Sequence, residues 1–535
     1  MLQSPHAESF RSGRAVVAAP HALAVDAGRQ ILAQGGNAVE AALAAAAAIA
    51  VVYPHMNHLG GDGFWLIREP TGKVRYIEAC GFAGAGATIP FYRGLGYDTI
   101  PFRGPLAALT VPGAVGGWAM ALEAARAFGG RLGLSDLLEP AIRHARAGVP
   151  VTASQVRLTA EKRAELEPAP GFARTFLPDG AVPKEGQVLR QPGLAETLEQ
   201  LVAAGLEDFY RGDIGREIAA DLERIESPVT RADLERYRAI VREPLRLRLS
   251  SGTVYNAPPP TQGLASLLIL GIFDRLGVKR AESFDHIHGL VESTKRAFLV
   301  RDRVVRDYDR LEHDLADLLS PAALDRDAGK IDQSRALPWP QPAQPGDTIW
   351  LGAADSSGLA VSYIQSIFFE FGSGCVLPAT GVLMQNRGAS FSLDTKAVNP
   401  LEPGRRPFHT LNPAMAELND GRVMAYGTMG GEGQPQTQAA VFTRHVQFGV
   451  PLAEAIARPR WLLGRTWGSS HTNLRLENRF DEEVISRLDK AGHDYEVLDE
   501  AYSDTMGHAG AVILHPRGDV EGAHDPRADG GADGV

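Results

Sequence analysis

The chain has 535 residues, 44% hydrophobic and 22% charged, proportions that exclude disorder, collagen and coiled coil as descriptions of the whole. Its 54 Lys+Arg against 64 Asp+Glu leave a net charge of −10 with no basic run, which argues against a nucleic-acid partner. Two cysteines, Cys80 and Cys375, are too few for a disulfide framework or a cysteine zinc site.

The first twenty residues carry charges but no apolar core of signal-peptide length. The longest apolar stretch, over 41–53, falls short of the roughly 20 residues a membrane helix needs, so a cytoplasmic protein without membrane contact is expected. Asn37 and Glu40 open an almost unbroken run of alanine, valine and leucine over 38–52, a helix apolar on every face and hence buried. Pro54 stops it, and the text His58-Leu-Gly-Gly-Asp-Gly63 leads into a short strand over 64–67. Helical periodicity returns over 114–128, 134–147, 193–204 and 214–222, each segment ended by Gly or Pro, and Thr230 reads as an N-cap. The rigid loop Asn256-Ala-Pro-Pro-Pro-Thr-Gln-Gly263 launches a helix over 264–273, and 286–303 reads as an amphipathic helix with a charged outer face.

Four prolines between 337 and 345 forbid helix and sheet interior, so an extended, accessible segment is expected there. Strands follow over 348–354, 360–367, 381–385 and 422–426, so the first part of the chain reads as mainly helical and the last as opening on a strand meander. The cluster Gly427-Thr-Met-Gly-Gly-Glu-Gly433 lacks the Gly-Lys-Ser/Thr ending of a P-loop; its uses are a tight turn or a row of backbone N–H groups beside a reacting carbonyl. The pairs His55/His58 and His286/His288 come without a zincin carboxylate pattern, and neither metal nor cofactor is expected.

One junction stands out. The proline-rich segment ends at Gly346-Asp347-Thr348, where a core strand starts. A Thr in that position can attack its own preceding carbonyl, and after cleavage it carries a hydroxyl nucleophile and an α-amine base of pKa near 8 on one residue. On the residues alone, an ordinary strand Thr is the competing reading.

Ordered blocks add a resemblance. Gly35-Gly-Asn-Ala-Val-Glu40, Leu59-Gly-Gly-Asp-Gly-Phe64, Val111-Pro-Gly-Ala-Val-Gly116, Ala257-Pro-Pro-Pro-Thr-Gln-Gly263, Phe371-Gly-Ser-Gly374, Gly381-Val-Leu-Met-Gln-Asn386 and Met429-Gly-Gly431 resemble, in order, the γ-glutamyltransferase family. The resemblance implies an α+β fold, a four-layer αββα N-terminal-nucleophile hydrolase sandwich, made as a precursor and self-cut between Asp347 and Thr348. It implies a large chain 1–347 and a small chain 348–535 forming one core, with a homo-oligomer of the processed pair left open. It places the nucleophile at Thr348, a supporting hydroxyl at Ser366 and oxyanion-hole N–H groups at Gly430 and Gly431.

The chain departs from the family where a γ-glutamyl head would be held. The family's carboxylate-binding Arg falls on Cys80, an Asn on Phe368, a Gln or Glu on Arg387 and the ammonium-binding Asp on Ser390. An ammonium without a partner in such a site stays desolvated at a cost of several kcal/mol. Trp350 and Phe368 add bulk near the nucleophile, Asn386 precedes Arg387, and the Arg387 fork suits one carboxylate. The expected substrate is a small carboxylate-bearing amide, as for the oxamate amidohydrolase branch, which this text resembles. A γ-glutamyl hydrolase or transpeptidase acting on glutathione-like substrates, and an inactive family member, are the alternatives.

Overall fold

Two seven-stranded antiparallel sheets face each other in the computed structural model, which describes residues 8–339, 347–464 and 472–535. The first runs Gly531–Gly534, Ala15–Ala19, Asp347–Asp355, Ala360–Phe368, Asp62–Arg68, Val74–Ala79, Ile240–Arg242. The second runs Phe10–Ser12, Val520–His524, Ala509–Leu514, Val423–Thr428, Ala414–Leu418, Gly252–Asn256, Leu245–Leu249. Both sheets contain strands from before and after Thr348, so neither part has a core of its own.

Strand side chains alternate between faces, and the buried clusters show where each face goes. Phe64, Leu66, Trp350 and Ile364 of the first sheet meet Met415, Ala425 and Val512 of the second. The opposite face of the first sheet, with Val17, Ile67, Leu351 and Val361, packs under the helices Ala22–Ala33, Ala38–Val52, Ala114–Ala127 and Leu134–Ala147. The opposite face of the second, with Val254, Ala416 and Met424, packs under Gly263–Phe273, Phe284–Val304 and Gly433–Phe442. This is the expected four-layer αββα sandwich.

The helix Ala38–Val52 shows how local sequence builds a layer. Asn37 Oδ1 accepts the N–H groups of Val39 and Glu40 while Glu40 accepts the Asn37 N–H, closing a capping box on otherwise orphaned donors. All 15 residues are buried, and small alanine side chains let sheet and neighbouring helices approach closely.

Two expectations change. The helix Phe284–Val304 does not offer all its charges to solvent: Glu292, Lys295 and Arg301 are buried, because the chain around Leu337 and the loop at Glu432 cover it and supply partners. Lys295 Nζ lies 2.7 Å from Glu292 Oε1, and Arg301 Nη2 2.8 Å from Glu432 Oε1. The segment expected as a strand over 381–385 makes only the isolated bridges Gly60↔Met384 and Val376↔Leu383, since positive-φ turns at Gly372, Gly374 and Gly381 break its extension. The first part of the chain is mainly helical, as expected, and also supplies strands to both sheets. The proline-rich expectation over 340–345 lies outside the described residues. Among the described residues, no helix is long and apolar enough to cross a membrane.

Candidate active site

Thr348 stands at the start of an inner strand of the first sheet, Asp347–Asp355, fully buried. Pairing with the next strand shifts there: Asp347 opposes Phe368 and Ile349 opposes Gln365, so both Ser366 and Ile367 stand against Thr348. Such bulges re-aim side chains beside reactive sites. Ser366 Oγ accepts the Phe368 N–H at 2.8 Å, which holds Phe368 at φ +83.

From the other sheet, the strand Val423–Thr428 runs into Gly430 and Gly431, with φ +114 and +53, before the helix Gly433–Phe442. Among the described residues, neither glycine N–H is taken up by an acceptor. The loop is braced from behind: Gln262 Nε2 donates to the carbonyls of Gly431 and Thr410, each at 2.8 Å, and Arg301 Nη1 donates to Gln262 Oε1 at 3.1 Å. Gln434, in the first turn of that helix, donates from Nε2 to Thr348 Oγ1 at 3.3 Å, its Oε1 being used by the Asn412 N–H. A hydroxyl held in this way keeps a lone pair engaged and points in one direction.

The expected substrate residues divide. Arg387 is fully buried with its Cζ 3.9 Å over the Phe368 ring. Its Nη1 reaches Thr410 Oγ1 at 3.4 Å, while Nε and Nη2 have no hydrogen-bond partner among the described residues. Burial lowers its pKa to about 9, so it stays a cation at neutral pH. Glu432, a candidate structural partner for it, is held by Arg301 instead. Cys80 is a buried thiol whose pKa burial pushes well up, so it brings no charge to the position of the family Arg.

Trp350, Asn386 and Ser390 make core and backbone contacts. The Trp350 indole fills the space between the sheets, where a Cβ on Gly427 would come within 2.2 Å of it, and its Nε1 donates to Ser362 Oγ. Asn386 accepts the Phe369 N–H and donates to the Phe102 carbonyl, and Ser390 Oγ donates to the carbonyls of Arg387 and Phe408. All three shape the site's walls through backbone or core contacts. Beside them a cavity of about 310 Å³ opens against Arg301, Ser390, Asn399, Phe408 and Glu432.

Two further residues, which no motif singles out, lie near Arg387. Asp62 and His409 are buried, with Asp62 Oδ2 3.6 Å from His409 Nε2. Asp62 was within the quoted Leu59–Phe64 text, where it reads as part of a turn; nothing local marks His409. One metal-capable cluster lies elsewhere, His288, Glu292 and His493, but His288 Nδ1 and His493 Nε2 already bond each other at 2.8 Å and Glu292 holds Lys295.

The family described as gamma-glutamyltranspeptidase matches residues 24–535. An oxamate amidohydrolase proenzyme of Klebsiella pneumoniae is 54% identical over 524 residues, 98% of this chain and 99% of that protein. A glutathione hydrolase-like proenzyme of Bacillus subtilis is 40% identical over 97% of this chain and 98% of that one. Among solved structures, a cephalosporin acylase from Bacillus halodurans superposes with a TM-score of 0.91 at 31% identity, covering 100% of this chain and 98% of that one.

Proposed function

The chain belongs to the gamma-glutamyltranspeptidase family and is a C–N hydrolase within it; on that premise we propose that it cuts itself before Thr348 and then hydrolyses a small carboxylate-bearing amide, oxamate being the favoured substrate. The observation that carries the substrate class is the buried Arg387 guanidinium, with two donors unused among the described residues, stacked on Phe368, which pairs with Asp347 next to Thr348. A desolvated guanidinium with an open fork gains most from a planar carboxylate held by two parallel bonds.

In this reading the Thr348 α-amine takes the hydroxyl proton as Oγ1 attacks the amide carbon, and Gly430 and Gly431 N–H groups meet the oxyanion. The C–N bond then breaks, the amine's proton leaves with ammonia, and water hydrolyses the acyl ester. Ser366 fixes the turn that carries Phe368 and hence the platform under Arg387. The large chain 1–347 and small chain 348–535 stay together because both contribute hydrogen-bonded strands to each sheet. Two buried free thiols fit a reducing cytoplasm.

Arg387→Gln is expected to lower kcat/KM on oxamate roughly tenfold to several hundredfold, since charge-assisted bonds contribute about 1.5–3 kcal/mol each. Self-cleavage should survive, because the scissile peptide makes no use of that contact. Ammonia release from oxamate, against p-nitroaniline release from a γ-glutamyl anilide, tests the substrate class. Activity on the anilide alone would move the protein to a glutathione-like substrate.

A further inference from the structure

Near Arg387 lies a second ionisable group that the reaction just described does not use. Asp62 opens the strand Asp62–Arg68 and stands opposite Ser366 in the register of the first sheet, one strand from Thr348. Its Oδ1 accepts the N–H groups of Gly81 at 3.0 Å and Gly113 at 3.1 Å. Among the described residues its Oδ2 makes no hydrogen bond, nor does either ring nitrogen of His409 beside it, nor Nε and Nη2 of Arg387. Several buried polar atoms without partners on neighbouring residues point to a place for a polar ligand, because each is costly to leave unmet.

We propose that Asp62 is the counter-ion of Arg387 in the empty site, that a small carboxylate substrate replaces it in that role, and that binding is therefore accompanied by uptake of one proton onto Asp62 Oδ2. The proposal rests on the reading of Arg387 as the carboxylate site. The ionisable groups facing Asp62 are Arg387, His409, Cys80, Tyr210, Tyr237 and Tyr363. Burial raises the thiol and the three phenols and lowers His409, so all five are neutral near pH 7 and Arg387 is the cation among them. One buried cation cannot neutralise two carboxylates, and the excess negative charge has no water around it. Aspartate keeps the proton rather than the ligand, since a carboxyl next to a carbonyl is the stronger acid. Burial has already pushed Asp62 up to about 7 against the hydrogen bonds from Gly81 and Gly113 and the charge of Arg387.

The protonated Oδ2 then becomes a donor, able to bond the bound carboxylate or His409. Above the Asp62 titration, KM for oxamate should rise about tenfold per pH unit, because the competent form of the site becomes scarce. The Thr348 α-amine works in the opposite sense, since it must be free to act as base.

Titration calorimetry of the processed protein with oxalate, in buffers of different ionisation enthalpy, counts the protons. The expected uptake grows from near zero at about pH 6, where Asp62 already holds its proton, towards about one per site at about pH 8. Asp62→Asn keeps an Oδ1 acceptor for Gly81 and Gly113 and should abolish the uptake while still binding oxalate. Uptake absent from the unmodified protein, or unchanged in Asp62→Asn and so located on the Thr348 amine, would overturn the proposal. Oxalate binding that Arg387→Gln leaves untouched, or no binding at all, would instead overturn the carboxylate-site reading on which it rests.

Discussion

Thr348→Ala is expected to remain a single 57.3 kDa chain with no measurable amide hydrolysis. Both losses follow from one atom. Oγ1 is the attacking oxygen for the self-cleavage that releases the α-amine and for the later attack on substrate, so its removal leaves neither nucleophile nor liberated base. Thr348→Ser should keep part of both activities, because the hydroxyl and its bond from Gln434 are retained. The methyl group matters through freedom of rotation, since a β-branched side chain has fewer rotamers to lose in a buried strand. Mass spectrometry checks the first loss and ammonia release the second. Alanine at 348 that still splits at the normal rate would assign the attack to another residue.

Gly430→Ala is expected to lower kcat by about 10²–10³ with a fall in melting temperature of only a few degrees. A φ of +114 is closed to L side chains, and the added Cβ would lie 3.2 Å from the Gly507 Cα, so the peptide between Gly430 and Gly431 must turn. That peptide carries the Gly431 N–H, one of the two donors for the oxyanion. Proline at 431 is not a usable probe, because φ +53 is incompatible with the roughly −65° the ring enforces. Gly404→Ala calibrates strain: its φ is +81 and nothing lies within 4 Å of an added Cβ. It should cost stability and leave kcat alone. Equal kcat in Gly430→Ala and Gly404→Ala, both folded, would remove the oxyanion role.

The layers were largely legible because they are local. The Asn37–Glu40 cap, the unbroken apolar run behind it and the strand starting at Thr348 each announce themselves within a dozen residues, and the structure has them within a residue or two. Segment 381–385 misled because apolar alternation persists where positive-φ glycines prevent pairing. Around the site, what depended on distant partners was lost. Trp350 reads as pocket bulk unless Gly427 and Gly510, from another sheet, are seen to make room for it. Asn386 and Ser390 read as polar contacts for substrate until Phe369, Phe102 and Phe408 offer their backbone groups. Asp62, His409 and Gln434 come from three separate elements, and only the stacking of the two sheets brings them within reach of Thr348 and Arg387.

The central claim is that Thr348 is the residue on which the protein cuts itself and then works. Intact-mass measurement of the purified protein, with N-terminal sequencing of the smaller fragment, tests it most directly. The account predicts two chains meeting between Asp347 and Thr348, the smaller one beginning Thr-Ile-Trp and co-purifying with the larger. An uncut chain that hydrolyses oxamate, or a fragment with any other N-terminus, would contradict it.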